Sequence, residues 1–234
     1  MRGYKQHILK TLQKFDIYVY RAAHESHFTL RKRIESELIN QANGVLHIGA
    51  HEGQEAFFYD QCGAKVLWVE ANPSAYEILL ENIRQYPSQS ATRALLGAEN
   101  DTQVNFNLTS NRGASSSIYA PNPEFQHPFN VANTISLEMS RLDSIISEKV
   151  IGQFPHWVVD VQGAELPVLS GAGSFIRYCN SMVVEAKNKS YYSGGTSYPE
   201  LREFLRQEGF TPLWEIDEDG EDNIFFLRIE GRLK

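Results

Sequence analysis

At 234 residues the chain is long enough for one large domain, or for one domain with a small appendage. Its 42% apolar content supports a packed core, and its 22% charged content is ordinary for a soluble protein. A net charge of -7 gives no support to a nucleic-acid partner, and two cysteines are too few for a disulfide framework or a cysteine-based metal site.

The charge is unevenly spread. Residues 1–33 hold eight Lys and Arg against two acids, a net of +6, which leaves -13 on the remainder. Such a basic arm attracts a phosphate-bearing substrate or a peripheral contact with an anionic membrane surface; the plainer reading is a solvated helix face. The N-terminus has no apolar signal region, and no stretch approaches the roughly 20 apolar residues of a membrane helix. The expected setting is cytoplasmic, with Cys62 and Cys179 as buried free thiols.

Residues 1–43 read as helical. Ile8, Leu12, Phe15 and Val19 form one apolar stripe at helical spacing, and Leu30, Ile34 and Leu38 form a second. Asn43-Gly44 is expected to end the second helix, because both residues tolerate a left-handed C-cap. This extension is expected to serve as a lid or as an oligomer contact, a homodimer being the natural case.

From residue 44 onward strands and helices alternate. Val45–Ile48 reads as a first strand, residues 53–62 as a helix stopped by Gly63, and Lys65–Glu70 as a second strand. Asn72-Pro73 opens the next helix with an N-cap residue and a first-turn proline. Tyr76, Leu79, Leu80 and Ile83 are its expected buried face. Thr92–Leu96 is the third strand. The pattern predicts a mostly parallel sheet with right-handed crossovers.

Residues 101–140 interrupt the alternation as an insertion, with short strands expected at Val104–Leu108 and Thr134–Leu137 around a polar run, Thr109 to Ser117. A segment this long inside a domain is usually functional or mobile. His156–Val161 and Ser181–Glu185 are the fourth and fifth strands, with a helix from Glu165 to about Gly171 between them. A loop with Gly194-Gly195 leads to a capping box, Ser197-x-x-Glu200, and a helix whose Leu201, Phe204 and Leu205 face the core. The strands Thr211–Ile216 and Asn223–Ile229 flank a turn at residues 217–220 and predict a hairpin. The expected fold is therefore α/β and Rossmann-like. It has seven strands, five parallel and closed by a C-terminal antiparallel hairpin, helices on both faces, and an N-terminal helical extension over 1–43.

Open α/β sheets bind ligands outside the carboxyl ends of their strands. Those ends carry Gly49-Ala50-His51, Glu70-Ala71-Asn72, Gly97-Ala98, Asp160-Val161-Gln162 and Glu185. Gly49 and Gly53 let a ligand approach the backbone at a helix N-terminus. Glu70 lies 21 residues after Gly49, where a carboxylate can accept from both hydroxyls of a ribose. The spacing is Gly-x-x-x-Gly rather than Gly-x-Gly-x-x-Gly, which points away from NAD and toward S-adenosylmethionine. His51 is expected to contact the cofactor carboxylate, to approach the substrate, or to cap the helix.

Asp160 is the first candidate to assist proton loss from an acceptor hydroxyl, with His51 the second. Glu165 reads as a residue that fixes the loop. Asp160 and Glu185 could alternatively hold Mg²⁺, although two carboxylates are a thin donor set and no metal is the favoured reading. Ser116, within Ser115-Ser116-Ser117, is a candidate contact to the cofactor. Tyr191 and Tyr192, with Glu185, are candidates to line an acceptor pocket.

Together these residues resemble the FkbM family of S-adenosylmethionine-dependent methyltransferases. The resemblance runs from about Val45 to Phe210 and rests on residues 48–53, 70–73, 115–118, 141–143, 160–165 with Leu169, Gly171 and Ala172, and 184–185. Asp160-Val161-Gln162-Gly163-Ala164-Glu165 is the most specific of them. It implies O-methylation of hydroxyls on sugars, glycans or natural products, with S-adenosylhomocysteine as product and a small-molecule or glycan acceptor. The family usually has Asp where this chain has His47, a position at which class I methyltransferases use an acid to help hold the cofactor's amino group. A catalytically weak or non-catalytic cofactor-binding scaffold is therefore the alternative from another class. A nicotinamide oxidoreductase is the third reading, and it lacks both the right glycine spacing and a reason for the hairpin.

Overall fold

The computed structural model describes residues 27–216 and 221–229. The first apolar stripe, most of the basic arm and the turn at 217–220 lie outside them. The described elements are α1 (His27–Ala42), β1 (Gly44–Ile48), α2 (Ala56–Gln61), β2 (Lys65–Glu70), α3 (Pro73–Ile83), β3 (Gln89–Arg93), β4 (Leu95–Leu96), β5 (Thr102–Thr109) and β6 (Val131–Ser140). After the short helices α4 (Leu142–Ile145) and α5 (Glu148–Ile151) come β7 (His156–Val159), α6 (Glu165–Gly171), a 3₁₀ turn (Gly173–Tyr178), β8 (Ser181–Lys187), α7 (Tyr198–Gln207), β9 (Phe210–Pro212) and β10 (Glu221–Arg228).

Seven strands form one sheet in the order β3-β2-β1-β7-β8-β10-β9. The first five are parallel, and β10 is antiparallel to both β8 and β9. The order reverses between β1 and β7, so the ligand crevice of such a sheet opens at their carboxyl ends. Every residue of β1 is buried, as a central strand covered on both faces requires. Leu46 and Ile48 face the larger core with Trp157, Val159 and Phe226. Val45 faces the smaller one with Tyr59, Trp68 and Leu79.

Local chemistry sets the element ends. Asn43 takes a φ of 58° and its N–H reaches the Ile39 carbonyl at 2.8 Å, which closes α1 as its sequence predicts. Leu30, Ile34 and Leu38 pack into the larger core, so α1 lies on the sheet. The Asn72 side chain accepts from Ser74 N–H at 3.1 Å with Pro73 in the first turn, a cap worth about 1 kcal/mol. The Ser197–Glu200 capping box is present on α7.

Four expectations are corrected. The helix after β1 begins at Ala56 rather than residue 53, because Gly49, His51 and Gly53 all take positive φ and hold the chain in turns. Leu80 is 39% exposed; Ala75 takes the inner place beside Leu79 and Ile83. The third strand ends at Arg93. The chain then breaks at Ala94, and β4 joins a second sheet of order β4-β6-β5. The strands of the insertion are longer than expected, eight and ten residues, and pair antiparallel with a bulge at Leu108/Thr109.

Candidate functional site

The carboxyl ends of β1, β2 and β7 enclose a cavity of about 60 Å³. Gly49, His51, Glu70, Ala71, Ser116, Asp160, Val161 and Gln162 line it, so the sequence-derived residues from four separate segments meet. Gly49 has to be glycine. Its φ is 85°, and an added Cβ would sit 1.7 Å from the Asp160 carbonyl oxygen. The Asp160 N–H bonds the Ile48 carbonyl at 3.0 Å, so the two motif turns are fastened to each other.

Glu70 is buried at the tip of β2. Its Oε2 accepts the His51 N–H and its Oε1 accepts the Asn72 N–H, both at 2.7 Å. Burial raises its pKa, and the backbone hydrogen bonds oppose that shift. Each oxygen retains one acceptor site, which suits a vicinal diol. The same carboxylate therefore holds the glycine turn and the α3 cap in place beside the cavity.

His51 is differently employed from expectation. Its Nε2–H donates to the Arg112 carbonyl at 3.0 Å, and its Nδ1 accepts the Gln54 amide at 2.7 Å. Both ring nitrogens are thus engaged in holding neighbouring segments, and Asp160 stays the first candidate to receive the proton. The ring pins the 109–117 segment across the cavity. Arg112 Nη2 also meets both oxygens of Glu52 at 2.8 Å, and Gly113, Ala114 and Ser116 line the roof. Ser116 Oγ itself accepts the Thr109 N–H at 3.2 Å.

Other placements depart from the strand-end reading. Gly97 and Ala98 lie off this cavity, because the break at Ala94 carries them past the rim: Gly97 packs on Met139 and Gly171. Gly53 packs against Leu79, and Ala50 is buried in the smaller core, so neither faces the cavity. Asn72 stands behind Gly113, where an added Cβ would be 2.4 Å from its Nδ2. His47 is turned away altogether. It stacks on Trp68 at 4.7 Å, its Nδ1 pairs with the Tyr59 hydroxyl at 2.9 Å, and burial lowers its pKa to about 4.

Past Gln162 the chain borders a second, smaller cavity of about 20 Å³, lined by Glu165, Glu185, Lys187, Tyr191, Tyr192 and Thr196. Burial pushes the Asp160 carboxyl well above its ordinary range, and the charge of Glu185 and a hydrogen bond with it push the same way. Gln162, at φ 56°, stands between the two carboxylates. Its amide donates to Asp160 Oδ1 at 2.6 Å and to Glu185 Oε2 at 2.8 Å. That amide fills the place a shared cation would need, and among the described residues no group of three or more His, Cys, Asp or Glu is arranged to hold a metal. The Mg²⁺ alternative is not supported. Glu165 Oε1 accepts the Gly163 N–H at 2.9 Å, fixing the turn as expected, and burial raises its pKa to about 7.

The family profile for the Methyltransferase FkbM domain matches residues 47–212. The chain belongs to the FkbM methyltransferase family. Its five parallel strands closed by an antiparallel pair, with the ligand cavity at the switch point, are the class I S-adenosylmethionine-dependent methyltransferase architecture. Comparison with curated proteins returned no match. Among solved structures, the chain is similar to M. capricolum TrmK in complex with S-adenosylhomocysteine (11% identity, 90% of this chain and 73% of that one, TM-score 0.49). It is also similar to an O-methyltransferase from Bacillus cereus in complex with the same compound (12% identity, 96% and 89%, TM-score 0.45).

Sequence reasoning missed several residues in and around these cavities of the FkbM chain. Phe106 of β5 lines the first cavity from the insertion, while Lys187 and Thr196 line the second. Arg112 was hidden because its partner Glu52 lies 60 residues away; its neighbour Gly113 was the available signal for a close approach. No described helix is long and apolar enough to cross a membrane.

Proposed function

We propose that this FkbM protein is an S-adenosylmethionine-dependent O-methyltransferase, acting on a hydroxyl of a sugar, glycan or natural-product acceptor. The observation that carries this reading is the Asp160–Glu185 pair, bridged by Gln162, with Asp160 on the wall of the first cavity and Glu185 on the wall of the second.

The residues fit the cofactor. Glu70 would accept from the ribose hydroxyls, Gly49 allows contact with the backbone, and Asp160 to Gln162 border the end next to the acceptor cavity. The cofactor supplies a sulfonium-bound methyl group, which transfers by in-line displacement. The chain's own task is to hold a hydroxyl oxygen on that line and to receive its proton. Positioning supplies much of the rate. Asp160, whose affinity for a proton is raised by burial and by the charge and hydrogen bond of Glu185, takes up the hydroxyl proton as the acceptor oxygen becomes an ether. The adjoining cavity, with the faces of Tyr191 and Tyr192, is where the acceptor lies.

His47 no longer argues for a non-catalytic scaffold, because its side chain is buried on the opposite face, against Tyr59 and Trp68. Both cysteines are free, in keeping with a reducing cytoplasm. The test is transfer of labelled methyl from S-adenosylmethionine to a panel of neutral glycosides and polyol natural products. Asp160→Asn should cut turnover at least ~100-fold while S-adenosylhomocysteine still binds. Undiminished turnover in that variant would remove Asp160 from the role.

A further inference from the structure

Three hollows follow one another along a single turn of the chain. Asp160 to Gln162 and Ala164 border the first cavity, Gly163 and Glu165 border the second, and Leu166 and Pro167 border a third. The third is an open cleft of about 280 Å³, far larger than the second. One residue, Thr196, forms the wall shared by the second and third. It is firmly held: its N–H donates to the Gly163 carbonyl at 2.7 Å, and its hydroxyl accepts the Leu166 N–H at 3.1 Å.

The lining of this cleft has a definite character. Tyr119, Leu166 and Pro167 give it apolar faces, and the Ser170 hydroxyl and Glu200 carboxylate stand at its edge. None of the described residues that line it is Lys or Arg. Glu200 is kept ionised below the usual range by the Ser197 hydroxyl and N–H, and Glu165 lies one residue from Leu166. An anion gains nothing here. A neutral ring gains burial against Tyr119 and Leu166, and its hydroxyls find acceptors.

We propose that this cleft is a second acceptor subsite, which takes a neutral, ring-sized unit bearing an apolar face and hydroxyl donors, joined to the unit being methylated. The acceptor is then bipartite: the unit being methylated lies by Glu185 and the tyrosines of the small cavity, with its reacting hydroxyl toward Asp160, while its second ring crosses Thr196 into the cleft. This rests on the methyltransferase reading above and adds to it that the enzyme prefers a conjugate over a single unit.

The probes are phenyl β-D-glucopyranoside, methyl β-D-glucopyranoside and phenyl phosphate, titrated by amide NMR into the full-length protein saturated with S-adenosylhomocysteine. Phenyl β-D-glucopyranoside should shift the Tyr119, Ser170 and Thr196 signals, and the other two should leave Tyr119 and Ser170 unmoved. Ser170→Trp fills the cleft from an exposed position, and Tyr119→Ala removes its wall. Each should weaken the phenyl glucoside at least ~10-fold with S-adenosylhomocysteine affinity unchanged. Phenyl phosphate in the cleft, or a phenyl glucoside that both variants bind as the parent does or that leaves the cleft signals unmoved, overturns the subsite alone. Failure of S-adenosylhomocysteine to bind the parent overturns the methyltransferase reading, and the subsite falls with it.

Discussion

The phenol of Tyr192 donates to Gln162 Oε1 at 2.7 Å, and that contact decides which way the Gln162 amide faces. With its oxygen turned to Tyr192, its nitrogen must face Asp160 and Glu185, to which it donates. The same hydroxyl reaches the Ser115 carbonyl at 3.0 Å. Tyr192 is nearly fully buried and so links the roof of the cofactor cavity to the carboxylate pair.

Tyr192→Phe frees the amide to turn its oxygen toward the pair, which favours protonated Asp160. In a ¹³C carboxyl titration the Asp160 step should rise by about one unit, and the acid limb of methyl transfer should move with it. A variant whose Asp160 step matches the parent's would leave Tyr192 as packing alone.

Arg112 and His51 latch the 109–117 segment over the cavity through Glu52, Gln54 and the Arg112 carbonyl. The Arg112 side chain is 76% exposed and its partner 11%, so the ion pair is worth ~1 kcal/mol at most. Arg112→Ala should speed both entry and release of S-adenosylhomocysteine about fivefold, with the Kd changed less than twofold. Stopped-flow rates equal to the parent's would show that the segment does not gate the site.

Gly49 and Gly63 both have positive φ, but only Gly49 has a neighbour in the way of a Cβ. Gly63→Ala should cost about 1 kcal/mol of stability and leave ligand binding intact. Gly49→Ala must also push back the Asp160 carbonyl. It should cost roughly twice as much or more and abolish S-adenosylhomocysteine binding. Equal losses of stability in urea unfolding would contradict the close packing of the two motif turns.

His47 and His156 are kept neutral by burial, with pKa values of about 4 and about 3. Their folded values lie below the unfolded one, so the unfolded chain protonates first. Their contribution to stability is whole above about pH 6.5 and is lost as pH falls toward 4, at up to ~1.4 kcal/mol per pH unit for each. Glu165, raised to about 7, works in the opposite direction over pH 7 to 4.5, so the comparison must be between variants. His47→Gln does not titrate and can keep a bond to Tyr59. Its urea midpoint should fall less steeply than the parent's from pH 6.5 to 4. Parallel curves would place the acid sensitivity elsewhere.

The backbone of the site was legible because its signals are local. Gly49, Glu70 and Asp160 sit at strand tips that hydrophobic runs and turn residues define, and the hairpin and capping box announce themselves by composition. What escaped depends on long-range placement. Periodicity over residues 92–96 cannot distinguish one strand from two kinked at Ala94, and that kink removed Gly97 and Ala98 from the cavity. Likewise, alternation along β1 gives His47 a face but not a side of the sheet; only packing against Tyr59 and Trp68 settles it. Tyr192 was legible as a pocket candidate, but not its bond to Gln162, which only the fold brings beneath it.

The central claim is that the first cavity binds an adenosyl cofactor through Glu70. Calorimetric titration with S-adenosylhomocysteine tests it most directly, with NAD as the control ligand and Glu70→Ala as the second sample, its fold checked by thermal melting. The account predicts binding to the parent, at least ~10-fold weaker binding to the folded variant, and no heat from NAD. Equal affinity in parent and variant, or binding of NAD in place of the adenosyl ligand, would contradict it.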